Sequence, residues 1–113
     1  MGKKVLLLAG FVQGPFFYHD QDGDWMNHLV DEAGEDLGLS AELVADLTRW
    51  DEEYQDIYDS GHPPDSAFPT AEAKLAWTER GRALAARIKQ ESSIAVEVDY
   101  QANGSIPEGT CVF

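Results

Sequence analysis

Three carboxylates stand at alternate positions around a glycine in Asp20-Gln21-Asp22-Gly23-Asp24, a spacing that lets side-chain oxygens converge on a hard cation such as calcium. The continuation departs from a calcium loop. Trp25 stands where the sharp-turn glycine belongs, Asp31 replaces the closing bidentate glutamate, and no helix clearly precedes the run. The segment reads first as an acidic turn, with Asp20, Asp22 and Asp24 as the alternative metal ligands. His19, His28 and His62 follow no local ligand spacing and read as solvated loop residues. Cys111 has no histidine nearby in sequence to activate it and reads as a small core residue rather than a nucleophile. Gly10 and Gly14 invite a phosphate loop, but neither G-x-G-x-x-G nor G-x-x-x-x-G-K is present. No pair of carboxylates is singled out for acid and base work by spacing or apolar context. The expectation is a chain with no catalytic residue and no cofactor, a small enzyme being the alternative.

The elements that must carry these residues can be read from hydrophobic spacing. Val5 to Ala9 is apolar without alternation, as in a strand covered on both faces. Lys3 and Lys4 ahead of Val5 to Val12 resemble the start of a secretory signal. The run is too short to span a bilayer, no small-residue cleavage site follows, and Leu6 stands where a myristoylation signal needs Ser or Thr. Residues 10–38 carry mixed signals, open to a hairpin turning near Asp22-Gly23 or to a loop leading into a short helix. Ser40 caps a helix over Ala41 to Ser60, with Leu39 and Val44 arranged as a hydrophobic staple. Leu43, Leu47, Trp50, Tyr54, Ile57 and Tyr58 share its apolar face, and Gly61, Pro63 and Pro64 stop it.

After a proline-stiffened connector anchored by Phe68, Thr70 caps a second helix running to about Gln90. Ala73, Trp77, Leu84 and Ile88 form its face, and Gly81 on that side leaves room for a neighbouring backbone or ring. Ile94 to Tyr100 turns to alternation, and Asn103-Gly104 predicts a type I′ hairpin returning through Ile106 to Phe113, with Pro107 confining that strand to an edge. The expected fold is α/β: one domain over residues 1–113, with a small sheet of the N-terminal strand and the C-terminal β-hairpin. An antiparallel pair of α-helices covers one face, and Val5 to Ala9 runs parallel to Ile94 to Tyr100.

Charge narrows the partners. The 113 residues include 21 Asp or Glu against 8 Lys or Arg, a net charge of −13, which repels nucleic acid and favours a basic protein. Between His19 and Asp65 lie 15 of those acids and one base, Arg49. Like-charge pairs at helical spacing, Glu42 with Asp46 and Glu52 with Asp56, each cost about 0.2–0.5 kcal/mol, so stability alone does not explain them. The candidate partner-binding residues are therefore Glu42, Asp46, Glu52, Glu53 and Asp56, with Trp25, an aromatic without a periodic partner, as an exposed anchor. Two plainer readings stand beside this one. An acidic face keeps a protein soluble, and Lys74, Arg80, Arg82, Arg87 and Lys89 on the second helix are placed to pair with part of it. One cysteine suits a reducing cytoplasm, and no membrane segment is expected.

Leu39-Ser40, the helix of Trp50 and Tyr54, Pro63-Pro64-Asp65-Ser66 and Gly81-Arg82-Ala83-Leu84-Ala85 together resemble a group of short, uncharacterised bacterial proteins over residues 39–90. In size, acidity and lack of a catalytic motif the chain is also similar to bacterial toxin-immunity proteins. That resemblance implies a protein-binding module, an immunity-type inhibitor whose partner is a basic cognate toxin domain, and it assigns no residue.

Overall fold

A computed structural model describes residues 2–58, 61 and 67–113. Strands β1 (Lys3–Leu8), β2 (Phe16–His19), β3 (Trp25–His28) and β4 (Ala95–Ala102) form a sheet in the order β3-β2-β1-β4. Helices α1 (Val30–Leu37), α2 (Ala41–Gln55) and α3 (Ala71–Glu91) lie between β3 and β4 in the chain. The unbroken apolar run puts β1 in the sheet interior, antiparallel to β2 and parallel to β4, with Val5 opposite Val98 and Leu7 opposite Tyr100. Alternation sorts its side chains: Val5 and Leu7 are buried with Phe16, Tyr18, Val98 and Tyr100 beneath the helices, and Lys4, Leu6 and Leu8 project to the other face.

Both readings of residues 10–38 occur, one after the other. Asp20-Gln21-Asp22-Gly23 turns β2 into β3, with Gly23 at φ 84°, a left-handed conformation that favours glycine. The short helix α1 follows. Its cap position is Leu29, which offers no side-chain acceptor; instead the Leu29 amide donates to Glu32 Oε1 at 3.0 Å, and Asp31 and Glu32 place negative charge at the positive end of the helix.

Helices α2 and α3 run antiparallel, since Asp46 meets Arg87 near one end and Glu53 meets Arg80 near the other. Ser40 and Thr70 cap them as expected, their hydroxyls accepting from the amides of Leu43 and Ala73. Trp50 and Trp77 stack at 4.6 Å and only 4° from parallel, and each indole N–H donates to the other's backbone carbonyl, at 3.0 and 2.8 Å. A Cβ at Gly81 would stand 2.1 Å from Tyr100 Oη and 2.7 Å from Trp50, which is the close approach that glycine allows. Ser92 joins the layers: its Oγ donates to Leu37 O at 2.6 Å and accepts from the amides of Ile94 and Ala95.

Two expectations need correction. The first long helix ends at Gln55, not Ser60; Ile57, in the turn that follows, packs against the core, Tyr58 is exposed beside Phe11, and Asp59, Ser60, Pro63 and Pro64 lie outside the described residues. The Asn103-Gly104 hairpin with a returning strand is reduced to one bridge, Asp99 to Val112, extended by hydrogen bonds between Val98 and Phe113 and from Tyr100 to Cys111. Ala102 takes the positive φ, 56°, that a type I′ turn would give to Asn103, and Pro107, which has no amide to pair, opens a second turn closed by Thr110.

Gly81→Ala is expected to lower the unfolding free energy by roughly 1–3 kcal/mol, because Trp50 and Tyr100 are both held by hydrogen bonds and cannot withdraw freely. Urea denaturation monitored by tryptophan fluorescence checks it.

Candidate protein interface

The acids expected to form one surface divide between two environments. On the helical layer, Asp46 pairs with Arg49 and, at 2.8 Å, with Arg87, and Glu53 accepts from Arg80 at 2.7 Å. These partners raise the guanidinium pKa values of Arg80 and Arg87 above their ordinary range, chiefly through the hydrogen bonds to Glu53 and Asp46. Asp46 and Glu53 are thus compensated within the molecule. Glu42, Glu52 and Asp56 on the same helix are exposed, and the Asp56 amide closes α2 on the carbonyl of Glu52.

Trp25 lies elsewhere, on the face of the sheet away from the helices. Its register partner there is His19, and its ring lies over Phe17 at 6.4 Å and edge-on to His19 at 5.1 Å. The structure therefore does not unite Trp25 with Glu42, Asp46, Glu52, Glu53 and Asp56. Along β3, at one edge of the sheet, and the first turn of α1, Trp25 is followed by Met26, which as the partner of Tyr18 points to the opposite face of the sheet, and then by Leu29, Asp31 and Glu32. Trp25, Met26 and Leu29 are 48, 48 and 54% exposed.

The edge is held firmly from behind. The Tyr18 hydroxyl donates to Asp36 Oδ2 at 2.7 Å, and burial together with that carboxylate pushes the phenol well above its ordinary pKa, so it remains a donor. His28 stacks on Tyr18 at 3.8 Å, with its Nδ1 4.0 Å from Glu32. Asn27 clamps the opposite loop, accepting from the amide of Gly14 and donating to the carbonyls of Gly14 and Phe16.

The aspartates of the turn serve the backbone. Asp20 Oδ1 accepts from the amides of Asp22 and Asp24, at 2.9 and 3.0 Å, which fixes the turn. The described residues bring no three His, Cys, Asp or Glu side chains together in a metal-binding group. His19 is exposed, His28 is a packed residue under Tyr18, and His62 lies outside the described residues. Cys111 is half-buried against the core. No described helix is long and apolar enough to cross a membrane.

Comparison with known proteins finds one family model, described as Serratia CdiI immunity protein-like, that matches residues 3–103. The chain belongs to the Serratia CdiI immunity protein-like family. No curated protein matches the chain. The immunity protein-like match opens at the first residue of β1 and ends just after β4, so it spans the whole sheet and all three described helices, and leaves the C-terminal return outside.

Two substitutions separate structural from functional roles for the acids of this immunity protein-like chain. Asp20→Ala is expected to cost about 1 kcal/mol by freeing the turn amides. Added calcium should leave the melting temperature of the unaltered protein where it was, and a calcium-dependent rise would make the turn a metal site. Asp51 is the second case. Burial raises its carboxyl above the ordinary value of 3.8, outweighing the bond from Gln55. A carboxyl whose pKa is raised by folding favours the fold while protonated and loses that contribution as pH rises through its folded value. Asp51→Asn should therefore raise the melting temperature at neutral pH and leave it unchanged near pH 3, as calorimetry across that range would show.

Proposed function

We propose that this chain is an immunity-type inhibitor: it binds a cognate toxin domain, itself basic, and blocks it sterically. The family match over residues 3–103 carries the reading. Two further features support it. The net charge of −13 attracts a basic protein and repels nucleic acid, and a toxin that acts on nucleic acid must itself present a positive surface. Several of its acids are also engaged in holding the fold: Asp46 and Glu53 are salt-bridged to arginines, Asp20 accepts from backbone amides, and Asp36 accepts from the Tyr18 hydroxyl. The inhibitor would work in the cytoplasm, where a lone cysteine such as Cys111 stays reduced.

Within that reading the acids of α2 steer the encounter. Glu42, Glu52 and Asp56 are exposed, whereas Asp46 and Glu53 are tied to arginines, and reversing them would strip Arg80 of its partner, leave Arg87 with Glu91 alone and confuse the result. Exposed charges of this kind act over distance and are screened by salt.

The test is affinity capture of the purified protein's partner from a lysate of its source, at low and high salt, followed by kinetics with the protein recovered. One basic protein should be retained at low salt. The variant with Glu42→Lys, Glu52→Lys and Asp56→Lys together should associate at least about tenfold more slowly, with a shallower salt dependence and a nearly unchanged dissociation rate. Recovery of no basic partner under any salt condition would end the inhibitor reading.

A further inference from the structure

The two edges of the sheet are finished differently. Along β4 the C-terminal return supplies partners: Val98 exchanges hydrogen bonds with Phe113 at 3.1 and 2.9 Å, and the Tyr100 amide donates to Cys111 O at 2.8 Å. Along β3, the last strand in the order β3-β2-β1-β4, no described residue pairs with the outer side. The register fixes which groups face out. The Asp20 amide donates to Asp24 O at 2.8 Å, so Asp20 and Asp24 form a hydrogen-bonded pair. Bonded and non-bonded pairs alternate in an antiparallel ladder, which makes Tyr18 with Met26 and Phe16 with His28 the next bonded pairs. The amides and carbonyls of Trp25 and Asn27 are then left for a further strand.

Proteins usually defend such an edge with lysine, proline or a covering segment. Here β3 reads Trp-Met-Asn-His and carries none of these. Its exposed apolar side chains, Trp25, Met26 and Leu29, lie between acids at both ends: Asp22 and Asp24 in the turn before it, and Asp31 and Glu32 in the first turn of α1. Residues 20–36 contain seven acids, and no lysine or arginine occurs between Lys4 and Arg49. Charge complementarity therefore specifies the occupant as an extended segment bearing Lys or Arg.

We propose that the toxin is held by a basic extended segment of its own, which pairs with β3 as a fifth strand and packs apolar side chains against Trp25, Met26 and Leu29. The inference rests on the immunity reading and adds the surface to it. Main-chain bonds to Trp25 and Asn27 supply affinity, and the flanking acids select a cationic segment over other exposed strands.

The experiment uses the full chain and the basic protein recovered in the salt-dependent capture. Hydrogen exchange on the complex should show the Trp25 and Asn27 amides slowed at least about tenfold relative to the free protein. Trp25→Pro, which removes one outward amide and its anchor, and separately Leu29→Lys, should each speed dissociation at least about tenfold while association changes little. If the unaltered chain captures a basic protein but residues 24–29 gain no protection and both variants dissociate normally, the β3 surface is wrong and the inhibitor reading survives. If the unaltered chain captures none, that reading falls, and this one with it. Should Trp25→Pro fail to fold, Leu29→Lys and the exchange measurement decide alone.

Discussion

The stacked indoles of Trp50 and Trp77 hold α2 and α3 in one register. Two large aromatic side chains could pack across a helix pair in several offsets, each similar in buried area. Hydrogen bonds from each indole to the other's backbone carbonyl remove that freedom, because sliding either helix by one turn would orphan two buried donors. Gly81 then makes the arrangement compatible with the sheet: only a residue without Cβ leaves room for Trp50 on one side and Tyr100 on the other. Tyr100 in turn donates to Thr78 O at 2.7 Å, tying β4 to α3. With β4 placed, its parallel pairing to β1 is placed too, and the hairpin of β2 and β3 follows from β1.

This hierarchy separates a helix pair whose charges are partly compensated from a hairpin and short helix whose charges are less so. The cations of α3 neutralise part of α2, which keeps the helix pair electrostatically quiet around its tryptophans. The hairpin and α1 carry no lysine or arginine of their own, Lys3 of β1 donating to the His19 carbonyl beside them; Asp20 and Asp36 are bonded within the molecule, whereas Asp22, Asp24 and Asp31 are exposed. Like charges gathered on one element lower stability a little, and the hairpin bears that cost because Tyr18, His28 and Asn27 anchor it to the core and to the loop after β1. The hairpin is thus anchored on its inner side, while along the outer side of β3 no described residue pairs with it.

Much of the fold could be read from the sequence where local chemistry and burial agreed. Ser40 and Thr70 are strong caps, the stripes of α2 and α3 have clear helical spacing, and the apolar run of β1 marks a central strand. The parallel pairing of β1 with β4 also followed, since a helical crossover permits it. What escaped did so for physical reasons. Helix α1 is preceded by Leu29, which cannot cap through its side chain, and its first turn is closed by Glu32 reaching back, a weaker signal in a short helix. β2 and β3 are only four residues each, too short for alternation to stand out. Asn103-Gly104 looked like a hairpin turn, yet Pro107 and Gly109 impose a second turn three residues on, so regular pairing never starts. For the candidate surface, the acidity and Trp25 are legible in the sequence, but proximity along the chain does not reveal that Arg80 and Arg87 reach Glu53 and Asp46 from the next helix.

The three tryptophans fall into two optical populations. Trp50 and Trp77 are buried and stacked nearly parallel, so their transitions couple, and the coupled part of the near-ultraviolet circular dichroism reports whether the helix pair is intact. Trp25 is half exposed at the sheet margin, and its emission reports what touches that margin. Contact at one end of the molecule and integrity at the other can thus be followed in the same cuvette, without a label, as separate signals.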